Sequence, residues 1–404
     1  MKRIFIAIHY LEIGGAERSL IGLLNAIDYT KYEVDIFVHA HRGEFMKMIP
    51  KQVNLLPEIG SYAAIEKPMI EALREGHFGV VLGRLIGKCH YKRYLKKNRK
   101  QSSRSIFQYI MNGVEPFLPA LTRFGVYDLA ISYLTPHNIV LHKVKAKNKI
   151  CWIHTDYSKV DINISIEYPI WRGYSHIISI SPDVTRSFLY SFPSFQEKIV
   201  EIENILSPHL IRQSAEMISE LFINKEMPKE SDRVNLLSVG RFMEAKNFDN
   251  VPFICKRLLE LGCNVKWYLI GYGIDEPLIL KKIHEANMED NVIILGKKKN
   301  PYPYMKACDI YVQPSRYEGK SITVREAQIL CKPVVITDYN TAKSQVKDRI
   351  DGIIVPKDNN SCALGIYDFI NDTTLKRAIV SYLSVNDFGN EEEIQKIYDL
   401  IERN

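Results

Sequence analysis

Ile4-Phe5-Ile6-Ala7-Ile8, then Gly14-Gly15-Ala16-Glu17-Arg18-Ser19, then Leu20, Leu23, Leu24 and Ile27 form the stretch whose reading decides the fold. A short unbroken apolar run reads as a buried strand, and apolar residues three and four apart read as one face of a helix. The adjacent glycines between them mark a tight turn. Strand, turn and helix in this order begin a parallel α/β sheet. Val34 to Val38 supplies the next strand, and Asp128 to Tyr133, Lys149 to Ile153, His176 to Ile180 and Lys198 to Glu203 continue the series. A polar stretch containing Pro228 interrupts it. A second series then runs through Asn235 to Val239, Val265 to Gly271, Asn291 to Leu295, Asp309 to Gln313, Pro333 to Thr337 and Gly352 to Val355. The expected architecture is therefore α/β, with two Rossmann-like doubly wound domains facing each other across a cleft. Their expected bounds are 1–207 and 234–390, joined by 208–233, with a final helix in 391–404 packing back on the first domain.

Composition narrows the class. The 404 residues exceed one comfortable core, and 46% hydrophobic with 25% charged residues is ordinary for a globular chain. Met1-Lys2-Arg3 leads directly into a strand, so no secretory signal is expected, and no apolar run reaches the ~18 to 20 residues of a membrane span. The expected location is cytoplasmic. Seven cysteines, odd in number and without a Cys-x-x-Cys pair, read as reduced thiols rather than disulfides or metal ligands. The net charge of +7 is concentrated: between Gly76 and Val114 there are nine Lys or Arg and no acidic residue. With Tyr91, Tyr94, Leu95, Ile106, Phe107, Tyr109, Ile110 and Met111 interleaved or following, the Arg84 to Arg104 segment is expected to meet an anionic membrane surface. No recognition helix or stacking platform accompanies the charge, so nucleic acid is not an expected partner.

Four segments fall where strands give way to loops. Gly14 and Gly15 allow close backbone approach, and the amides of the helix start attract an anion. Taken alone this is as well read as a capped turn. Gly240-Arg241 and Lys246 place two cations after a strand and before a helix expected near Asn247, where they can clamp a diphosphate. Alone they could equally be solvated surface charges. Gly271-Tyr272-Gly273 ends another strand. Glu318 and Glu326 bracket a helix start: Glu318 in the loop, Glu326 about one turn in, with the amides of Ser321, Ile322 and Thr323 between them. Two separated carboxylates suit the vicinal hydroxyls of a sugar and a ribose.

In this order and spacing the four motifs resemble glycosyltransferase family 4, retaining transferases of the GT-B fold that include bacterial polysaccharide and cell-surface glycan enzymes. The resemblance implies that Arg241 and Lys246 hold the donor diphosphate, Glu326 the ribose hydroxyls and Glu318 the donor sugar. It further implies backbone contacts from Gly14, Gly15, Gly319, Ser321, Ile322 and Thr323, and contact with the base at Gly296-Lys297-Lys298. His154 matches a histidine facing the transferred sugar, so the implied catalytic set is His154, Glu318, Arg241 and Lys246. The implied reaction moves a hexosyl or N-acetylhexosaminyl unit from a nucleoside-diphosphate sugar, UDP-sugar first and GDP-mannose as the alternative, to a glycan or lipid-linked acceptor. No metal and no cofactor are expected, since the two cations supply the positive field. The sequence departs from the family pattern at Asn247, where glycine is usual, and at Lys320. Two rivals are a nucleotide-sugar epimerase of similar fold and a non-catalytic membrane-binding module.

Overall fold

The computed structural model describes residues 1–12, 14–157, 160–318 and 321–402. It divides into two units, Met1–Ile205 with Glu391–Asn404, and Leu206–Asn390. The first unit holds a parallel sheet of β1 (Lys2–Ile8), β2 (Tyr32–Val38), β3 (Asn54–Leu55), β4 (Val126–Ser132), β5 (Lys145–Ile153), β6 (His176–Ser179) and β7 (Ile199–Glu201), in the order β3-β2-β1-β4-β5-β6-β7. The second holds β8 (Val234–Val239), β9 (Val265–Ile270), β10 (Val292–Gly296), β11 (Ile310–Gln313), β12 (Val334–Thr337) and β13 (Ile353–Val355), ordered β10-β9-β8-β11-β12-β13. Every named strand pair is parallel. Such strands are covered on both faces, which explains their continuous Val, Ile and Leu runs. In the second unit Leu236, Trp267 and Val312 face one core cluster, while Leu237, Tyr268 and Tyr311 face another.

Strand order reverses between β1 and β4 in one sheet and between β8 and β11 in the other. Loops leaving the carboxyl ends of neighbouring strands diverge at such a point and leave a crevice for ligands.

Residues 208–233, expected as a connection, are structured. They carry helices Pro208–Ala215 and Glu220–Glu226. Ile211, Ala215, Ile223 and Met227 are buried in the core cluster beneath β8 and β9. Apolar residues at helical spacing, Ile211, Ala215 and Ile218, fold the segment into the second unit. The last helix, Ile394–Glu402, belongs to the first unit: Tyr398 stacks on Tyr32 at 4.4 Å, and its hydroxyl accepts from the Asp28 amide at 2.7 Å.

Helices Phe78–Asn98 and Ile106–Val114 cross closely in the first unit. A Cβ on Gly113 would lie 2.2 Å from the Gly83 carbonyl oxygen, and one on Gly87 would lie 2.4 Å from that of Tyr109. Gly113→Ala is therefore expected to destabilise the fold by about 1 to 3 kcal/mol through overpacking. Denaturant unfolding checks this, and an unchanged midpoint would contradict the close crossing.

Candidate active site

The loops after β8, β9, β10 and β11 converge. Gly240 N donates to Ile270 O at 3.0 Å, Phe242 N to Tyr272 O at 2.9 Å, and Gly271 N to Gly296 O at 3.0 Å. A Cβ on Gly273 would lie 2.1 Å from Phe242 O, so this glycine is required by the close approach of two backbones. Arg241 is held on this framework with its side chain exposed. Its loop continues through a single turn, Glu244–Lys246, to Asn247 at φ 59°. That left-handed conformation explains why glycine is usual there. Asn is tolerated because its short amide can bond locally: Oδ1 accepts from Asn250 Nδ2 at 2.6 Å, while Nδ2 reaches across to Pro314 O at 2.9 Å. The helix that follows starts at Val251 rather than near Asn247, because the left-handed residue ends the first turn.

Arg316 fixes the β11 loop against the β8 loop. It meets both oxygens of Asp249, at 2.9 and 2.7 Å, and donates to Glu244 O at 2.7 Å. This two-point bridge brings Lys246 to Glu318, and Lys246 Nζ bonds Glu318 Oε1. The same oxygen accepts from Ser315 Oγ at 2.7 Å and from Gln313 Nε2 at 3.4 Å. Gln313 is itself oriented by Tyr311 Oη, which donates to its Oε1 at 2.7 Å. Two of the expected site residues, 72 positions apart, are thus directly paired across the point where strand order reverses.

The helix Ile322–Ile329 starts at Ser321. The Ser321 amide, expected to face a ligand, instead donates to Gln345 Oε1 at 3.1 Å, while Gln345 Nε2 returns a bond to Ser321 O. Ile322 and Thr323 are partly exposed at the same helix start. Gly319 lies outside the described residues. Glu326 is fully buried, and Tyr302 Oη donates to its Oε1 at 2.7 Å. A ribose hydroxyl reaching Glu326 would share that carboxylate with Tyr302.

After β10, Gly296 turns at φ 69°. Lys298 is committed to Glu226 at 2.7 and 2.8 Å, which leaves its backbone rather than its ammonium for a base. Lys297 Nζ lies 4.7 Å from the centroid of the Tyr272 ring, which is 44% exposed. In the sequence Tyr272 is marked only by the glycines on either side of it, and an aromatic held between them is the signal for a base contact. Gln313, Ser315 and Gln345 were missed, because nothing in their local sequence marks them.

In the first unit Gly14 and Gly15 open the helix Gly15–Ala26 beyond β1. Nothing crowds Gly15, whereas a Cβ on Gly14 would meet the Glu17 carboxylate at 2.0 Å, so an anion arriving there meets a resident negative charge. His154 follows β5, its ring 4.7 Å from that of Tyr133. Its Nε2 is buried without a hydrogen-bond partner among the described residues. Burial lowers its pKa to about 3, so the imidazole is neutral at physiological pH and offers a hydrogen bond rather than a charge. Among the described residues no group of three or more His, Cys, Asp or Glu is arranged to hold a metal ion.

Residues 220–383 match the Glycosyl transferases group 1 family. Over 145 residues the chain is 32% identical to N-acetylgalactosamine-N,N'-diacetylbacillosaminyl-diphospho-undecaprenol 4-alpha-N-acetylgalactosaminyltransferase of Campylobacter jejuni, covering 35% of this chain and 39% of that relative. Over 283 residues it is 23% identical to the amylovoran biosynthesis glycosyltransferase AmsD of Erwinia amylovora, covering 69% and 77%. Anabaena Alr3699/HepE, solved with UDP and glucose, superposes with a TM-score of 0.66 at 15% identity over the whole of both chains. A glycosyltransferase from Rickettsia africae gives 0.64 at 16% identity, covering 100% of this chain and 98% of that one. At these identities the structural likeness speaks for the fold, which is GT-B, with one seven-stranded and one six-stranded parallel sheet. The match over residues 220–383 covers the loops just described, and that stretch of the chain is similar to the group 1 glycosyl transferases, glycosyltransferase family 4.

Proposed function

We propose that this protein transfers a hexosyl or N-acetylhexosaminyl unit from a nucleoside-diphosphate sugar, UDP-sugar first, to a glycan or lipid-linked acceptor in the synthesis of a cell-surface polysaccharide. The observation that carries the reading is the pairing of Lys246 with Glu318, with Arg241 exposed on the same β8 loop, at the point where strand order reverses between β8 and β11. Arg241 and Lys246 would stabilise the diphosphate as the anomeric C–O bond breaks. The acceptor hydroxyl would attack from the face the diphosphate leaves, giving retention, and its proton would pass to the departing phosphate oxygen. Because the bonds to Glu318 fall on Oε1, its Oε2 would meet a hydroxyl of the donor sugar. Glu326 would serve the ribose, and His154 Nε2 would bond a sugar hydroxyl. The positive field of the two cations would replace that of a divalent ion. The printed names of the Campylobacter and Erwinia relatives, one a diphospho-undecaprenol glycosyltransferase and the other an amylovoran biosynthesis glycosyltransferase, support the acceptor class.

The test is a panel of nucleotide sugars incubated with the protein after exhaustive EDTA treatment, with products read by nuclear magnetic resonance. Transfer or slow hydrolysis giving an α-product from an α-linked donor is expected without added metal. Isomerised nucleotide sugar as the sole product would identify an epimerase, and activity restored only by Mg²⁺ or Mn²⁺ would overturn the cation clamp.

Tyr272 adds a prediction about the nucleoside. Its backbone carbonyl is bonded to the Arg241 loop through Phe242 N, and Lys297 lies over its exposed ring, where a base can replace the lysine. Base stacking on an aromatic contributes about 1 to 3 kcal/mol, so Tyr272→Ala should weaken nucleoside diphosphate binding about five- to a hundredfold. Pyrophosphate, which has no base, should bind the variant unchanged in calorimetry. Equal loss for both ligands would remove Tyr272 from the base site.

A further inference from the structure

The solvent face of the helix Phe78–Asn98 is divided along its length. Its first half exposes Phe78 (67%), Leu82 (50%), Leu85 (50%) and Ile86 (37%). Its second half exposes Lys92, Arg93, Lys96 and Lys97. At about 100° per residue both groups of four fall on the same arc, about 140° wide, so one side of the helix is apolar and then basic. The opposite side, with Val80, Gly83, Gly87 and Tyr91, is buried against the first unit. The apolar and aromatic residues expected from sequence to accompany the charge are largely turned inward: Tyr91 and Met111 are buried, and Tyr94, Leu95, Tyr109 and Ile110 are partly buried. Phe107 alone of that group is exposed. Some of the basic residues are also occupied. Arg84 bonds the carbonyls of Ala64 and Lys67, and Lys100 pairs with Asp161.

We propose that this helix face is a membrane-docking element that enters an anionic bilayer at a tilt, apolar half leading. The serial arrangement selects the occupant. In a bilayer surface the apolar layer and the anionic headgroup layer succeed one another with depth, as the two halves of this face do along the axis. A protein interface would be matched by apolar and charged positions intermingled over an area. The charge is complementary as well: no acidic residue lies between Gly76 and Val114, and the nearby Glu71 and Glu75 are held by Lys67 at 3.5 and 2.5 Å. Each exposed leucine gains from leaving water, and each cation near an anionic surface adds a comparable gain. No described helix is long and apolar enough to cross a membrane, so the contact is interfacial. The inference goes beyond the catalytic reading, since docking needs no donor.

Sedimentation of the full chain with phosphatidylcholine vesicles, with and without phosphatidylglycerol, tests it. Two variants are compared with the parent: one carrying Lys92→Ser, Arg93→Ser, Lys96→Ser and Lys97→Ser, the other Leu82→Ser and Leu85→Ser. The parent should bind anionic vesicles and release them as salt rises. The first variant should lose about a thousandfold in affinity, and the second at least about tenfold. All six side chains are exposed, so both variants should unfold at the parent's temperature and bind free nucleoside diphosphate as the parent does. That last reading separates a failure of docking from a failure of the catalytic proposal. Vesicle binding by either variant equal to the parent's overturns the proposal. So does lipid-free dimerisation that Leu82→Ser and Leu85→Ser abolishes, which would assign the face to a second copy.

Discussion

Arg241→Ala is expected to lower turnover about a hundred- to a thousandfold, the usual loss when a group that stabilises transition-state charge is removed. Its thermal unfolding should not move, because the side chain is exposed and such a cation contributes about 0 to 1 kcal/mol to folding. Lys246→Ala should behave differently. Lys246 and Glu318 are only 18% and 11% exposed and are bonded to each other, so truncating the lysine leaves a largely buried carboxylate without its countercharge. Activity and stability should fall together in that variant. The contrast is read by pairing steady-state kinetics with a melting curve for each protein. Full turnover at saturating donor in Arg241→Ala would remove it from the diphosphate site.

The second large effect is acid destabilisation of the first unit. His39 and His137 are buried beyond β2 and β4, and the His154 Nε2 is buried beyond β5. Desolvation is the main cause that holds all three imidazoles neutral, with the neighbouring His9 adding to it at His39 and His137. The pKa values of His137 and His154 are lowered to about 3. Below about 6.5 the unfolded chain therefore takes up protons that the folded chain refuses, and stability present at neutral pH is lost as pH falls. Each of these two histidines withdraws about 1.4 kcal/mol per pH unit, together about 4 kcal/mol by pH 5. Glu167 works in the opposite direction. Burial raises its pKa to about 7, so protonation returns roughly 2 to 3 kcal/mol over the same range. His39 adds to the loss. The net loss by pH 5 is then about 1 to 2 kcal/mol plus the share of His39, against a typical stability of about 5 to 15 kcal/mol. Hydrogen exchange at falling pH should show residues 1–205 opening before 206–390. His137→Gln should flatten the pH dependence by about 1.4 kcal/mol per unit. An unaltered slope would mean that His137 is protonated in the folded state.

Much of this was legible in the sequence, for identifiable reasons. Parallel strands covered on both faces are written as short runs such as Leu236-Leu237 within β8 and Val334-Val335-Ile336 within β12, so the longer strands were found and only their ends moved. The two-residue β3, with both residues exposed, carries no such run and was not foreseen. The helices within 208–226 were hidden although Ile211, Ala215 and Ile218 recur at helical spacing, because several other apolar residues there, Met217, Leu221 and Phe222, are exposed and blur the stripe. Site residues announced by glycines or by a strand end, such as Arg241, were legible. The Lys246–Glu318 pair and the bridge from Arg316 to Asp249 were not, since their partners are 72 and 67 positions apart and meet only through strand order. The basic segment shows a third kind of failure. Its charge was visible, but which apolar residues share its exposed side depends on helix phase, and the inward-facing ones were the residues first noticed.

The central claim, that the strand-end loops of the second unit hold a nucleotide-sugar donor, is tested most directly by hydrogen exchange of the full chain with and without a nucleoside diphosphate. Amides in the segments 240–247, 271–273, 296–298 and 321–326 should gain protection together, and Arg241→Ala should abolish the gain at the same ligand concentration. Protection confined to residues 1–205, or absent at saturating ligand, would contradict the account.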